Sequence, residues 1–172
     1  MNEGLRWLSP TELRAWRGLM RVSDLLSSRT ARTLQREFGL SCPDYTVLAE
    51  LTRVPDARMR IQELAKVLAW EKSRVSHQLG RMAGRGLVQR EDCVDDRRGA
   101  FVVVTPAGHE AIREAAPRHL QDVRALFMDH LSGDQIALVA EITELIIGKI
   151  DAGDGTLPGA AERAPVHRST AP

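Results

Sequence analysis

Apolar residues recur at helical spacing in six stretches of this chain, and two short β-like runs interrupt them. The first helical stretch opens at Ser9-Pro10-Thr11-Glu12, where Ser9 caps, Pro10 fits the first helical position and Glu12 completes a capping box. Leu13, Trp16, Leu19, Met20, Leu26 and Leu34 carry its apolar stripe to about Glu37. At about 28 residues it is long for a globular helix, and its stripe needs a large surface, such as a partner subunit, to bury it. Ser41 to Asp44 is a second capping signature, and Tyr45, Val47, Leu48 and Leu51 then predict a short helix ending near Arg53. Val54-Pro55-Asp56-Ala57 reads as a turn. Ile61, Leu64, Ala65 and Leu68 mark a third helix, for which Arg60 is a poor cap.

The stretch from Lys72 to Val104 is the most informative. Val75, Leu79 and Met82 stand at i, i+4 and i+7 on one face of a fourth helix, and Arg74, His77 and Arg81 line another. Such a helix buries one side and offers the other to something negatively charged. Gly84 and Gly86 supply its stop, since glycine tolerates left-handed backbone. Leu87 to Arg90 and Phe101 to Val104 read as strands around a polar hairpin tip, Asp95-Asp96-Arg97-Arg98-Gly99. Two short helices joined by a tight turn, the second one basic, and then a basic-tipped hairpin give the outline of a winged helix-turn-helix. In that outline the helix enters a DNA major groove and the tip reaches an adjacent minor groove.

Thr105-Pro106-Ala107-Gly108 starts a fifth helix that is expected to continue past Pro117 to about His130. Ser132-Gly133-Asp134-Gln135 starts the last helix, whose stripe of Ile136, Val139, Ile142, Ile146 and Ile150 is widened by Leu138, Leu145 and Ile147. That width suits a dimer contact or an ordinary core helix. Residues 153–172, rich in Gly, Pro, Ala and small polar residues, read as a disordered tail.

Length suits one domain, residues 1–152, with a dimer frame over roughly 9–37 and 106–150 and a DNA-reading part over roughly 41–105. A hydrophobic content of 43% is enough for a core, and the net charge of +1 announces no global basicity. Between Arg53 and Arg98, however, eleven Lys/Arg against seven Asp/Glu leave a local +4. A local patch is the footprint that matters for a nucleic acid, although a solvated surface gives the same count. Cys42 and Cys93 make no disulfide framework, and there is neither an apolar leader nor a run of about 18 apolar residues. The expected setting is the cytoplasm, without membrane contact. No P-loop, G-x-G-x-x-G, H-E-x-x-H, G-x-S-x-G or C-x-x-C is present, so an enzyme is not expected. His109, His119 and His130 invite a metal, but the last two stand about 16 Å apart along one helix, and neither metal nor cofactor is expected.

Ser73-Arg74-Val75-Ser76 and Arg81-Met82, followed by Arg85-Gly86-Leu87-Val88, are similar to the recognition helix and first wing strand of the MarR family of bacterial transcription regulators. Asp96-Arg97-Arg98-Gly99, six residues ahead of Thr105-Pro106-Ala107-Gly108, resembles that family's wing signature. The resemblance spans roughly residues 10–150. It implies a mainly α fold, a winged helix-turn-helix with a small antiparallel β wing in a helical dimerisation frame. It further implies a triangular homodimer, built from the first and last helices, that binds a pseudo-palindromic operator on double-stranded DNA, more often as a repressor. Small phenolic or other aromatic effectors would bind between frame and reading heads, where Trp16 and Tyr45 are candidates for the lining or for the core. The chain departs from the family at Trp70-Glu71, where a small cap residue is common, and at His77, where arginine is frequent. Its first helix lacks the cysteine of the peroxide-sensing branch.

Within this outline Arg74 is the first candidate for base reading, because a guanidinium can give guanine O6 and N7 two hydrogen bonds worth about 1–3 kcal/mol of discrimination. A solvent-exposed arginine is the plain alternative. Ser73 and Ser76 offer hydroxyls to phosphate or base edges, or simply occupy a helix start. His77 can bond a base or a phosphate and gains charge on protonation. Lys72 and Arg81 suit phosphate neutralisation. At the tip, Arg98 suits the minor groove with Asp96 holding its guanidinium, while Arg97 points to phosphate or solvent. The function these residues predict is a sequence-specific DNA-binding transcription regulator. Two other readings stay open at this point: a winged-helix protein-interaction module that does not read DNA, and a cysteine redox sensor.

Overall fold

The computed structural model describes residues 6–92 and 100–152. The predicted hairpin tip with Asp96, Arg97 and Arg98, the cysteine Cys93 and the predicted tail 153–172 lie outside the described residues. The chain divides after Met128 into two compact units.

The first unit begins with α1 (Pro10–Phe38), which starts on the full Ser9–Glu12 capping box and ends at Gly39 in left-handed backbone. A second full capping box, Ser41 with Asp44, starts α2 (Cys42–Thr52). A 3-10 turn at Pro55–Ala57 leads into β1 (Arg58–Arg60), then α3 (Ile61–Val67) and α4 (Lys72–Gly84). Strands β2 (Val88–Asp92) and β3 (Ala100–Val104) follow, and α5 (Pro106–Leu126) closes the unit. The sheet is antiparallel with order β1-β3-β2. This is the mainly α, winged helix-turn-helix architecture that the hydrophobic pattern predicts.

The core shows why these elements assemble. Val47, Leu48 and Leu51 of α2, Leu64 of α3, Val75, Leu79 and Met82 of α4 and Val102 of β3 are completely buried. They come from the faces that the helical and alternating patterns mark as apolar. Three features differ from the sequence reading. Strand β1 was not expected: Arg-Met-Arg is too short to signal a strand, and it forms because Met59 pairs with Val102, 43 positions along the chain by number. Helix α5 ends at Leu126 rather than near His130, because Phe127 leaves helical geometry (φ −138, ψ −63) and a separate 3-10 turn takes Met128–His130. Of the two glycines expected to stop α4, Gly86 alone is left-handed (φ 73), whereas Gly84 is the last helical residue.

The far half of α1 packs in this unit through Thr30 and Leu34, while Trp16, Leu19, Met20, Val22 and Leu25 stay exposed. The second unit contains α6 (Gly133–Ala152), started by Ser132, whose hydroxyl accepts from Gln135 N while the Gln135 side chain accepts from Ser132 N. No residue of α6 is buried, and its apolar residues from Ile136 to Ile150 are exposed. Among the described residues no helix is long and apolar enough to cross a membrane.

The Thr105–Gly108 segment has a packing reason. Thr105 Oγ1 donates to Gly86 O (2.5 Å) and accepts from Gly108 N (3.1 Å), so the α5 cap is pinned to the turn after α4. A Cβ on Gly108 would overlap the Leu87 carbonyl oxygen and crowd Val104. Gly108→Ala is therefore expected to destabilise the chain by about 3 kcal/mol or more in a urea titration. The opposite holds at Ala69, which adopts φ 49 in the turn between α3 and α4. Left-handed backbone costs a Cβ-bearing residue about 1–2 kcal/mol, so Ala69→Gly should raise stability by about 0.5–1 kcal/mol after the added chain entropy is subtracted.

Candidate nucleic-acid interface

Helix α4 has two chemically distinct sides. Val75, Gln78, Leu79 and Met82 face inward and are buried, whereas Lys72, Ser73, Arg74, Ser76, His77 and Arg81 are exposed. All six predicted contact residues on this helix thus lie on its solvent side. They do not form one cluster. Ser73, Ser76, His77 and Arg81 line a concavity of about 650 Å³ together with Gly80 and Arg90. Lys72 lies instead along a neighbouring hollow with Trp70 and Lys66. Arg74 stacks its guanidinium over the Trp70 ring, 4.2 Å from the centroid, a cation–π contact.

Arg90, which lines the same concavity, is a residue that the helix-centred sequence reading missed. It donates from Nη2 to Ser76 O (2.9 Å) and to Ser76 Oγ (3.2 Å), closing the concavity from the β2 side. The signal was available in the strand phase. Val88 is buried, and alternation places Arg90 on the same side of β2, two residues further along.

A second omission is Gln78, buried to 2% exposure among the apolar residues of α4. Its Nε2 donates to Asp44 Oδ1 (2.6 Å), and its Oε1 accepts from Arg81 Nη2. Asp44, 3% exposed, also accepts from Arg85 Nη1 (2.7 Å) and from Ser41 N (2.9 Å) on Oδ2. Arg85 donates its other terminal nitrogen to Gly39 O (2.7 Å). The Asp44 carboxylate therefore joins both ends of the α1–α2 connection to α4. The α4 start is less elaborate: Glu71 is the N-cap residue and makes no side-chain cap bond.

On the sheet, Arg58 lies 3.4 Å over the Phe101 ring and donates to Glu91 Oε2 (3.0 Å), while Arg60 lies 5.1 Å from the same ring. These contacts clamp β1, β3 and β2 together at the root of the hairpin. A pocket of about 330 Å³ lies elsewhere, walled by Thr30 and Leu34 of α1, Cys42, Tyr45 and Glu50 of α2, and His119 of α5. The Tyr45 and His119 rings meet at a tilt of 44°, 4.2 Å between centroids, and Nδ1 of His119 is buried without a hydrogen-bond partner. Burial pushes the His119 pKa below its ordinary value, opposed by the negative charge of Asp122. Trp16 does not line this pocket and, at 55% exposure, is not part of this unit's core. Among the described residues no cluster of His, Cys, Asp and Glu could hold a metal ion.

Comparison with known proteins agrees with this geometry. A family model described as the MarR family matches residues 38–99, from the end of α1 to the hairpin tip. The crystal structure of AbsC, a MarR family transcriptional regulator from Streptomyces coelicolor, is 37% identical, covers 86% of this chain and 99% of its own, and superposes with a TM-score of 0.81. A second MarR family transcriptional regulator from Streptomyces coelicolor, solved in complex with DNA, is 35% identical over 91% of this chain and 98% of its own, with a TM-score of 0.84. The transcriptional regulator HosA of Escherichia coli O111:H- is 29% identical over 123 residues, 70% of this chain and 87% of its own. On sequence similarity over nearly the full length of solved relatives, and on a shared winged-helix architecture, the chain belongs to the MarR family of transcriptional regulators.

Proposed function

We propose that this regulator works as a cytoplasmic homodimer that represses transcription by reading a pseudo-palindromic operator. The observation that carries the reading is the α4–β2 concavity, where Arg81, Arg90, His77 and two serine hydroxyls converge on the exposed side of a helix whose other side is locked in the core. Two guanidiniums and hydroxyls at this spacing suit a phosphate oxygen, which positions a protein on the duplex without specifying sequence. Base reading falls to Arg74, Ser73 and His77 on the first turns of α4, with Lys72 on phosphate. From the sequence, Arg98, held by Asp96, is assigned to the minor groove, and Arg97 to phosphate or solvent. The solved DNA complex of the 35% identical relative supports a duplex as the partner. The apolar side chains exposed on α1 and on α6 support a second copy as the other partner. Residues 9–37 and 106–150 then form the dimer frame, and residues 41–105 the reading part.

The α1–α2–α5 pocket supports release by a small aromatic effector. Its volume fits a single-ring compound, and the Tyr45 and His119 rings, 4.2 Å apart between centroids and tilted by 44°, give it an aromatic wall. Such a ligand touches α2, the helix that carries Asp44.

Selection of duplexes from a random pool should return an inverted repeat with half-sites about one helical turn apart, and affinity should fall steeply with salt. A pool that yields no motif, bound without salt dependence, contradicts the reading and favours a protein-interaction module. In the same assay Arg74→Ala should cost about 1–3 kcal/mol and relax preference at one base pair. Arg98→Ala should weaken operator binding strongly while sedimentation still shows the dimer. The pocket predicts a pH effect. His119 takes a proton less readily when folded than when unfolded, so stability should be full above its ordinary pKa of 6.5 and decline as pH falls below it. Urea midpoints between pH 7.5 and 5.5 should show this decline in the wild type and a smaller one in His119→Gln.

A further inference from the structure

A buried glutamine on a DNA-reading helix needs a reason, because it occupies a place where apolar packing is free of desolvation cost. Gln78 has one. Its carboxamide lies between an anion and a cation: Asp44 on the inner side and Arg81 at the surface. A carboxylate only accepts hydrogen bonds and a guanidinium only donates them, so the amide orientation is dictated by its neighbours. Nε2 must face Asp44 and Oε1 must face Arg81. Among side chains of this length only glutamine presents a donor to one and an acceptor to the other. Glutamate would set a second carboxylate against Asp44. Leucine or methionine would serve neither partner, and asparagine is one methylene short.

The chain of bonds is anchored at its inner end. Asp44 is the third residue of α2, fixed by the Ser41 capping box, and its second oxygen also takes the Arg85 guanidinium. Arg85 in turn holds the carbonyl of Gly39, the residue that ends α1. The outer end is the exposed Arg81, one wall of the α4–β2 concavity. Only one terminal nitrogen of Arg81 is engaged by Gln78, which leaves its remaining N–H groups for an incoming oxyanion.

We propose that Gln78 is a positioning residue for DNA binding: seated on Asp44, it holds the Arg81 guanidinium at the concavity, so that one phosphate contact is oriented before the duplex arrives. The inference rests on the DNA-binding reading given above and adds a residue that touches no DNA. An arginine held in place loses less freedom on binding than one that swings in solvent, which is the gain of preorganisation.

The test is a double-mutant cycle read through salt dependence, using the full chain and its selected duplex. The slope of log K against log salt reports the number of phosphates neutralised, at roughly 0.9 per contact. Because the dimer carries two copies of Arg81, Gln78→Met, Arg81→Ala and the double variant should each lower the slope by about two units relative to wild type, and the double variant should lose no more than Arg81→Ala alone. A Gln78→Met protein with the wild-type slope overturns the proposal, even if its affinity drops, because a merely loosened fold weakens binding without removing a phosphate contact. If Gln78→Met does not melt cooperatively, side-chain NMR of the wild type and of the surface variant Arg81→Ala decides. Slowed rotation of the Arg81 guanidinium in the free protein, with a Gln78 amide resonance that shifts in Arg81→Ala, supports the link. A freely rotating Arg81 and an unmoved Gln78 resonance overturn it. A wild-type chain that binds no duplex brings down the DNA reading and this proposal together, whereas steep wild-type binding with an unaltered Gln78→Met slope removes the proposal alone.

Discussion

The Asp44 carboxylate is the constraint on which the reading surface depends. It is almost fully buried, and it accepts hydrogen bonds from Ser41 N, from Gln78 and from Arg85. A buried anion in a small core is costly unless each lone-pair direction finds a donor. Here the donors come from three places: the α2 cap, the middle of α4 and the residue just after α4. Satisfying the charge therefore fixes how α4 is rolled and how it is held against the α1–α2 joint. Apolar packing of Val75, Leu79 and Met82 keeps α4 in the core, but it is non-directional. The apolar face already turns one side inward, and the hydrogen bonds hold the helix at a defined roll.

That division of labour continues across the surface. Arg81 and Arg90 are held by Gln78 and Ser76, whereas Arg74 rests on the face of Trp70. The first two are tied by hydrogen bonds to the scaffold; the third is retained by a cation–π contact, which sets no hydrogen-bond direction. Phosphate positioning needs fixed groups, and base discrimination needs groups that complete their hydrogen bonds only with the right partner. Net charge says little about this arrangement. The whole chain sums to +1, whereas Arg81 and Arg90 are gathered at one concavity by placement.

Much of this architecture was legible in the sequence because its signals are local. The capping boxes each span three residues, Ser9 to Glu12 and Ser41 to Asp44, and both form as predicted. The α4 face of Val75, Leu79 and Met82 follows from spacing alone. Features set by distant partners were not legible. Strand β1 exists because Met59 meets Val102, and nothing within Arg58–Arg60 announces that pairing. Asp44 reads as a cap residue, and its bonds to Gln78 and Arg85 join positions 34 and 41 apart in the chain. Gln78 did carry a faint signal: it stands three residues after Val75 and four before Met82, on the apolar side. A polar residue at such a position asks for a buried partner, and only the fold reveals which one. Gly108 is the converse case, conspicuous in the Thr-Pro-Ala-Gly segment, with its reason, the approach of Leu87 O, visible only in three dimensions.

The measurement that tests the central claim most directly is amide hydrogen exchange along α4 in the wild type and in Asp44→Ala. If Asp44 holds this helix, amides from Val75 to Met82 should lose about tenfold or more protection beyond any loss in α5, because removing the carboxylate strands the buried Gln78 donor and frees Arg85. Protection of α4 that stays unchanged, or that falls only in step with α5, would contradict the account.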